Sequence, residues 1–107
     1  MRTPRFALLL VAGALLATTA ASQQPAHSYM PPNGFIPDSL TAVRVAAAIL
    51  TPIYGQEQIR RELPLVASLS DSTWTVHGSL PGGRAGGVAS IQLSKRDARV
   101  IRVSHGK

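Results

Sequence analysis

The chain has 107 residues, no cysteine and a formal net charge of +6. One small domain fits that length, and thiol catalysis, thiolate metal sites and disulfides are excluded. A domain of this size buries only about 60% of the surface its unfolded chain exposes, so its stability rests on a small core or on a partner that completes it.

Residues 1–21 read as a secretory signal peptide. Arg2 and Arg5 give a short positive start. Residues 6–17 are an apolar run of 12, rich in Leu and Ala, which is too short to cross about 30 Å of hydrocarbon as a helix. Small residues follow at 18–22. Thr19 with Ala21 fits cleavage between Ala21 and Ser22, and Thr18 with Ala20 fits a cut one residue earlier. The expected destination is periplasmic or secreted, with no stable membrane insertion after the signal is removed. The mature part then carries nine Lys and Arg against five Asp and Glu, a net charge of +4. Such a surface favours acidic partners or anionic lipid, and export argues against nucleic acid.

Residues 22–36, SQQPAHSYMPPNGFI, show no periodicity and hold three prolines. They read as a Pro-rich flexible linker, with Tyr29, Met30, Phe35 and Ile36 available to tack its end onto the domain. The domain proper is expected over residues 37–107. Asp38 is a suitable N-cap, because its carboxylate can accept from the free amides of a first helical turn. Leu40, Val43, Ala47, Leu50 and Tyr54 recur at steps of three and four and predict one apolar stripe. Pro52 is expected to limit this helix, and Gly55 to break the chain. Residues 56–62 predict a second short helix that buries Ile59 and leaves Arg60, Arg61 and Glu62 solvated.

From residue 65 the apolar period becomes two. Leu65, Ala67 and Leu69 form one face of a first strand, and residues 70–73 a turn. Trp74, Val76, Gly78 and Leu80 form one face of a second strand. Residues 81–87, PGGRAGG, are a loop. Ala89, Ile91 and Leu93 form the apolar face of a third strand. Residues 95–98 make a tight connection to a last strand with Ile101 and Val103 inward. A main helix followed by an antiparallel meander predicts an α+β fold: one helix and a short second one packed on a curved sheet of about four strands.

No convergent set of reactive groups emerges. Asp38 is explained by capping, and Asp71 and Asp97 by turns. Glu57 and Glu62 do not share a face, so no carboxylate pair is placed for acid–base work. His77 and His105 lie on strands that can approach, yet two histidines without a nearby carboxylate make a poor metal site. The Gly-rich loop lacks the Gly-Lys-Ser/Thr ending of a phosphate loop and precedes no helix. Trp74, amid alternating apolar residues, reads as core. No catalytic residue, cofactor or metal is expected. The candidate partner-binding residues are Arg60, Arg61, Arg84, His77, Arg102 and His105; a solvated basic surface is the plain alternative for the arginines.

Four segments carry a resemblance: AAAILTPIYGQEQI (46–59), WTVHGSLP (74–81), GGVASIQLSK (86–95) and VIRVSHGK (100–107). In this order and spacing, residues 37–107 resemble a family of small bacterial immunity proteins with a nuclear-transport-factor-2-like, cystatin-like fold. The resemblance implies a helix cradled by a curved antiparallel sheet and a role in binding and neutralising a cognate toxin without catalysis. The chain departs from the family pattern at Ala98, where a turn glycine is usual, and at Ala47, where an acidic residue is common. Ala98 therefore predicts a different turn in the last hairpin.

The leading expectation is thus an exported, non-enzymatic protein that binds a cognate toxin or another envelope protein. The alternative is a periplasmic accessory module, since residues 86–103 are also similar to the strand–strand repeat of peptidase-propeptide-type domains. It would bind peptides by edge-strand addition. An enzyme of the wider cone-shaped fold needs a larger pocket than about 70 residues readily enclose.

Overall fold

The computed structural model of the protein describes residues 27–83 and 86–106. The expected signal peptide, the proposed cut at Ala21 and Ser22, the first part of the expected linker, and Arg84 and Lys107 lie outside the described residues. Helix α1 (Ser39–Tyr54) is followed by α2 (Gln56–Arg61) and by strands β1 (Val66–Ser70), β2 (Thr73–His77), β3 (Ala89–Ser94) and β4 (Val100–His105). The strands form one antiparallel sheet in the order β1-β2-β3-β4. This is the expected α+β arrangement of two helices on a four-stranded meander.

Helix α1 begins at Asp38, whose extended backbone lets its Oδ1 accept from the Thr41 amide at 2.8 Å. The helix does not stop at Pro52 but runs through it to Tyr54, and the Gly55 amide closes the end on the Thr51 carbonyl at 2.8 Å. A proline this near the C-terminus removes one intrahelical bond, while Tyr54 gains contact with the core cluster. The buried face also differs from the expected stripe. Ala42, Ala46 and Leu50 have no exposure, Val43, Ala47 and Tyr54 are partly buried, and Leu40 is 57% exposed. The run AVRVAAAIL is apolar around most of the helix, so spacing alone cannot fix its rotation. The small alanines face the sheet, where they allow close approach.

Trp74, Val76, Ala89, Ile91 and Leu93 fill the inner face of the sheet beneath α1, as the alternation predicts. Leu65 and Ala67 join them, but Leu69, near the end of β1, is 45% exposed. In β4 the inward set is corrected as well. Gln92 pairs with Arg102 and Leu93 with Val100, which leaves Ile101 as an extra residue in a bulge. Ile101 is consequently exposed and Val103 alone is half-buried, opposite Ile91. The turn before β4 departs from expectation too. Ala98 holds the left-handed conformation itself (φ 65°), although it lacks a glycine's freedom there.

The end of the linker is docked. The Phe35 and Ile36 amides donate to the Arg96 and Lys95 carbonyls, each at 3.0 Å, and Trp74 Nε1 donates to the Ile36 carbonyl at 2.8 Å. Ile36 has no exposure, whereas Tyr29 and Met30 are exposed and Phe35 is half-exposed. Gly34 makes this approach possible. Its φ is +84°, and a Cβ there would collide with the Lys95 carbonyl.

Candidate functional site

Two places on the fold gather polar groups. The first lies where the end of α2 meets the ends of β3 and β4. Glu62, expected to be solvated, is 2% exposed. The main chain folds back just after α2, turning this side chain under the sheet. Its Oε1 accepts from the Ala89 amide at 2.7 Å, and its Oε2 accepts from Gln58 Nε2 at 2.6 Å. His105 Nε2 stands 3.0 Å from the same Oε2. The Ser79 amide donates to the Glu62 carbonyl at 2.7 Å, so main chain and side chain are both held. Arg61 donates to Gln58 Oε1 at 2.7 Å, which turns the Gln58 amino group toward Glu62. The Tyr54 ring tilts against His105 with centroids 5.1 Å apart.

Gly78 exists for this carboxylate. A Cβ at position 78 would strike Glu62 Oε1 and stand 2.8 Å from Glu62 Cβ. The glycine in the strand pattern therefore marks a side chain that crosses the backbone, not a bulge.

Burial is the largest influence on Glu62 and pushes its pKa up. The hydrogen bonds from Gln58, the Ala89 amide and His105 outweigh it, and the net pKa is lowered from 4.5. For His105 the hydrogen bond to Glu62 comes first and the Gly106 carbonyl second, and they raise its pKa above 6.5. The His105 Nδ1 stands 3.0 Å from that carbonyl oxygen. Both ring nitrogens face acceptors, and when both carry protons the ring has no lone pair to take a proton from a substrate. The pair is built to hold, and general-base catalysis would require breaking one of its bonds.

The second place is the outer face of the sheet, opposite α1. Register puts Ser68, Thr75, His77, Ser90, Gln92, Arg102 and Ser104 on it. A cavity of about 230 Å³ is lined there by Ser90, Gln92, Arg102 and Ser104. The carboxylates lie elsewhere: Asp38 at the start of α1, Glu57 on α2, Glu62 inside, and Asp71 and Asp97 in the hairpin turns. Among the described residues no carboxylate pairs with Arg102.

The candidate partner residues are thus divided. Arg102 and His77 share the outer face, separated by the β3 row. Arg60 is exposed on α2 and bridged to Glu57 at 3.1 Å, and Arg61 is bonded to Gln58. His105 points to the inner side, so it does not meet His77. Reading each segment locally missed Glu62 and Tyr54 as partners of His105, because they are distant in sequence. The signal that was present is Gly78, a glycine in the alternating sequence pattern, just past the end of β2.

Comparisons with known proteins follow this geometry. The chain is 29% identical over 76 residues to the uncharacterized protein YhhH of Escherichia coli strain K12, covering 70% of this chain and 60% of that protein. It therefore spans about three fifths of the length of the curated relative it matches. No solved structure matches. Residues 41–107, from the first turn of α1 through β4, match the family described as NTF2 fold immunity protein. With its helices on a four-stranded antiparallel sheet, the chain belongs to the NTF2-fold immunity protein family.

Proposed function

We propose that the protein is an exported, non-enzymatic immunity protein that neutralises a cognate toxin by direct binding, with the outer face of the sheet as its docking surface. The observation that carries the surface is the isolated Arg102 among hydroxyl and amide side chains, with no carboxylate on the face. An unpaired guanidinium flanked by Ser90, Gln92 and Ser104 suits a carboxylate on an acidic loop of the toxin. Export rests on residues 1–21 and places the encounter in the periplasm or outside the cell. Membership of the immunity family supports the role, and the fully engaged His105 ring supports a function without catalysis.

Co-expression with a toxin whose gene is found beside this one tests both parts. The wild-type chain restores growth. Arg102→Glu restores none, although its thermal midpoint stays unchanged. A wild type that fails to protect rejects the immunity role, and full protection by Arg102→Glu rejects the face.

A second reading, a periplasmic accessory module binding extended peptides, draws on one observation. Strand β4 is an edge strand with Val100 and Ile101 exposed. Capture of an envelope peptidase or wall enzyme from periplasm that survives Arg102→Glu but is lost in Ile101→Pro would favour this reading.

A further inference from the structure

We propose that Glu62 and His105 form a pH-sensitive latch that fastens the edge strand β4 to the helix layer, tight while the imidazole carries two protons and loosened when it loses one. The argument starts from coverage. Helix α1 packs across β1, β2 and β3. Strand β4 lies beyond them, held on one side by its ladder with β3. Its N-terminal half is bulged and exposed at Val100 and Ile101. Its C-terminal residue, His105, supplies a side-chain tie to the helices, through Glu62 at the end of α2 and the Tyr54 ring at the end of α1.

The geometry specifies the charge state. His105 Nε2 faces Glu62 Oε2 and Nδ1 faces the Gly106 carbonyl, each at 3.0 Å. A carboxylate and a carbonyl only accept, so both contacts are hydrogen bonds only when both nitrogens carry protons. A neutral ring protonated on Nε2 keeps a hydrogen bond to Glu62, but it sets the Nδ1 lone pair against the Gly106 carbonyl and loses the positive charge that strengthens the bond to the carboxylate. The anion is fixed in place: Glu62 is 2% exposed and also holds the Ala89 amide and Gln58. The other groups facing the pair are Tyr54 from α1, neutral Gln58 from α2 with the Arg61 guanidinium bonded behind it, and main chain from Gly78 and Ala89. The His105 side chain is 29% exposed, enough to exchange its proton with solvent.

The direction of response follows. His105 has a raised pKa, so its contribution is complete below its unfolded value of 6.5 and is lost as pH climbs through the raised folded value. Glu62 has a lowered pKa, so its contribution is present above 4.5 and is lost as pH falls through the lowered folded value. The latch is tight in mildly acid surroundings and loosens toward alkaline pH. Each pH unit between the folded and unfolded His105 values is worth about tenfold in the opening equilibrium.

The test is amide hydrogen exchange of the full chain between pH 5 and 9, corrected for intrinsic rates, beside a ring-proton NMR titration of His105. In the wild type, protection of β4 falls relative to that of β2 as pH rises through the His105 midpoint, and that midpoint lies above 6.5. In His105→Gln, which keeps a donor for Glu62 but cannot titrate, the step disappears. A β4 protection that is flat with pH in the wild type overturns the latch, as does an unchanged step in His105→Gln. Should that variant fail to fold, the wild-type titration decides alone: a His105 midpoint at or below 6.5 overturns the proposal.

Discussion

A single missing side chain holds the inner site open. Glu62 passes so close to position 78 that only a glycine fits, and the carboxylate in turn satisfies the Ala89 amide. Gly78→Ala forces Glu62 aside and leaves a buried amide and a buried carboxylate without their partners. Losing such a partner costs about 3 kcal/mol, so urea unfolding at pH 6 is expected to show that loss for Gly78→Ala. An alanine that costs less than about 1 kcal/mol would mean that Glu62 has another place to go. The same residues show why this site was hard to see in the sequence. Glu62 ends a short helix amid Arg60 and Arg61, where a solvated glutamate is the ordinary case. Its partners lie 27 and 43 positions further along the chain, at Ala89 and His105.

At the scale of elements, the meander was legible and its edges were not. Strands β2 and β3 alternate strictly, and their inner residues are all buried. In β4 one bulge moves Ile101 out of the register that alternation predicts. Helix α1 is apolar on too many sides for its rotation to be read from spacing. The linker likewise ends later in sequence than in space, because residues 34–36 add a strand-like contact to the turn at Lys95 and Arg96. Ile36 is part of the core, so Ile36→Ala is expected to cost about 3 kcal/mol. Met30→Ala, only a few residues earlier and 49% exposed, should change stability by less than about 0.5 kcal/mol. Thermal unfolding of the two variants checks this directly, and equal effects would show that the docked segment contributes no more than a tether.

For the whole molecule, the two sides of the sheet have separate tasks. The inner side carries the core and the Glu62–His105 tie, and the outer side is a polar surface centred on Arg102. Residues 22–107 carry a net charge of +4, which acts over the entire surface. If the partner is acidic, attraction at a distance speeds its encounter, and salt screens it. Association with the proposed toxin partner is therefore expected to slow by about tenfold from low to high ionic strength, while dissociation changes little. Stopped-flow or surface-binding kinetics over a salt series read this out. A rate independent of salt would remove charge from the account of recognition.

The sequence alone determined the class of fold, the order of its strands, the capping of its main helix and the resemblance that the family match supports. These follow from local causes: period two against period three to four, turn residues, and a carboxylate ahead of free amides. Only the tertiary structure decided which face of α1 is buried, that Ile36 belongs to the core, and that His77 and His105 stand on opposite sides of the sheet. It also decided that Glu62 is buried against His105. Each of these depends on contacts between distant segments, and on backbone positions such as Gly78 and the bulge at Ile101 whose effect appears only when a neighbouring element arrives.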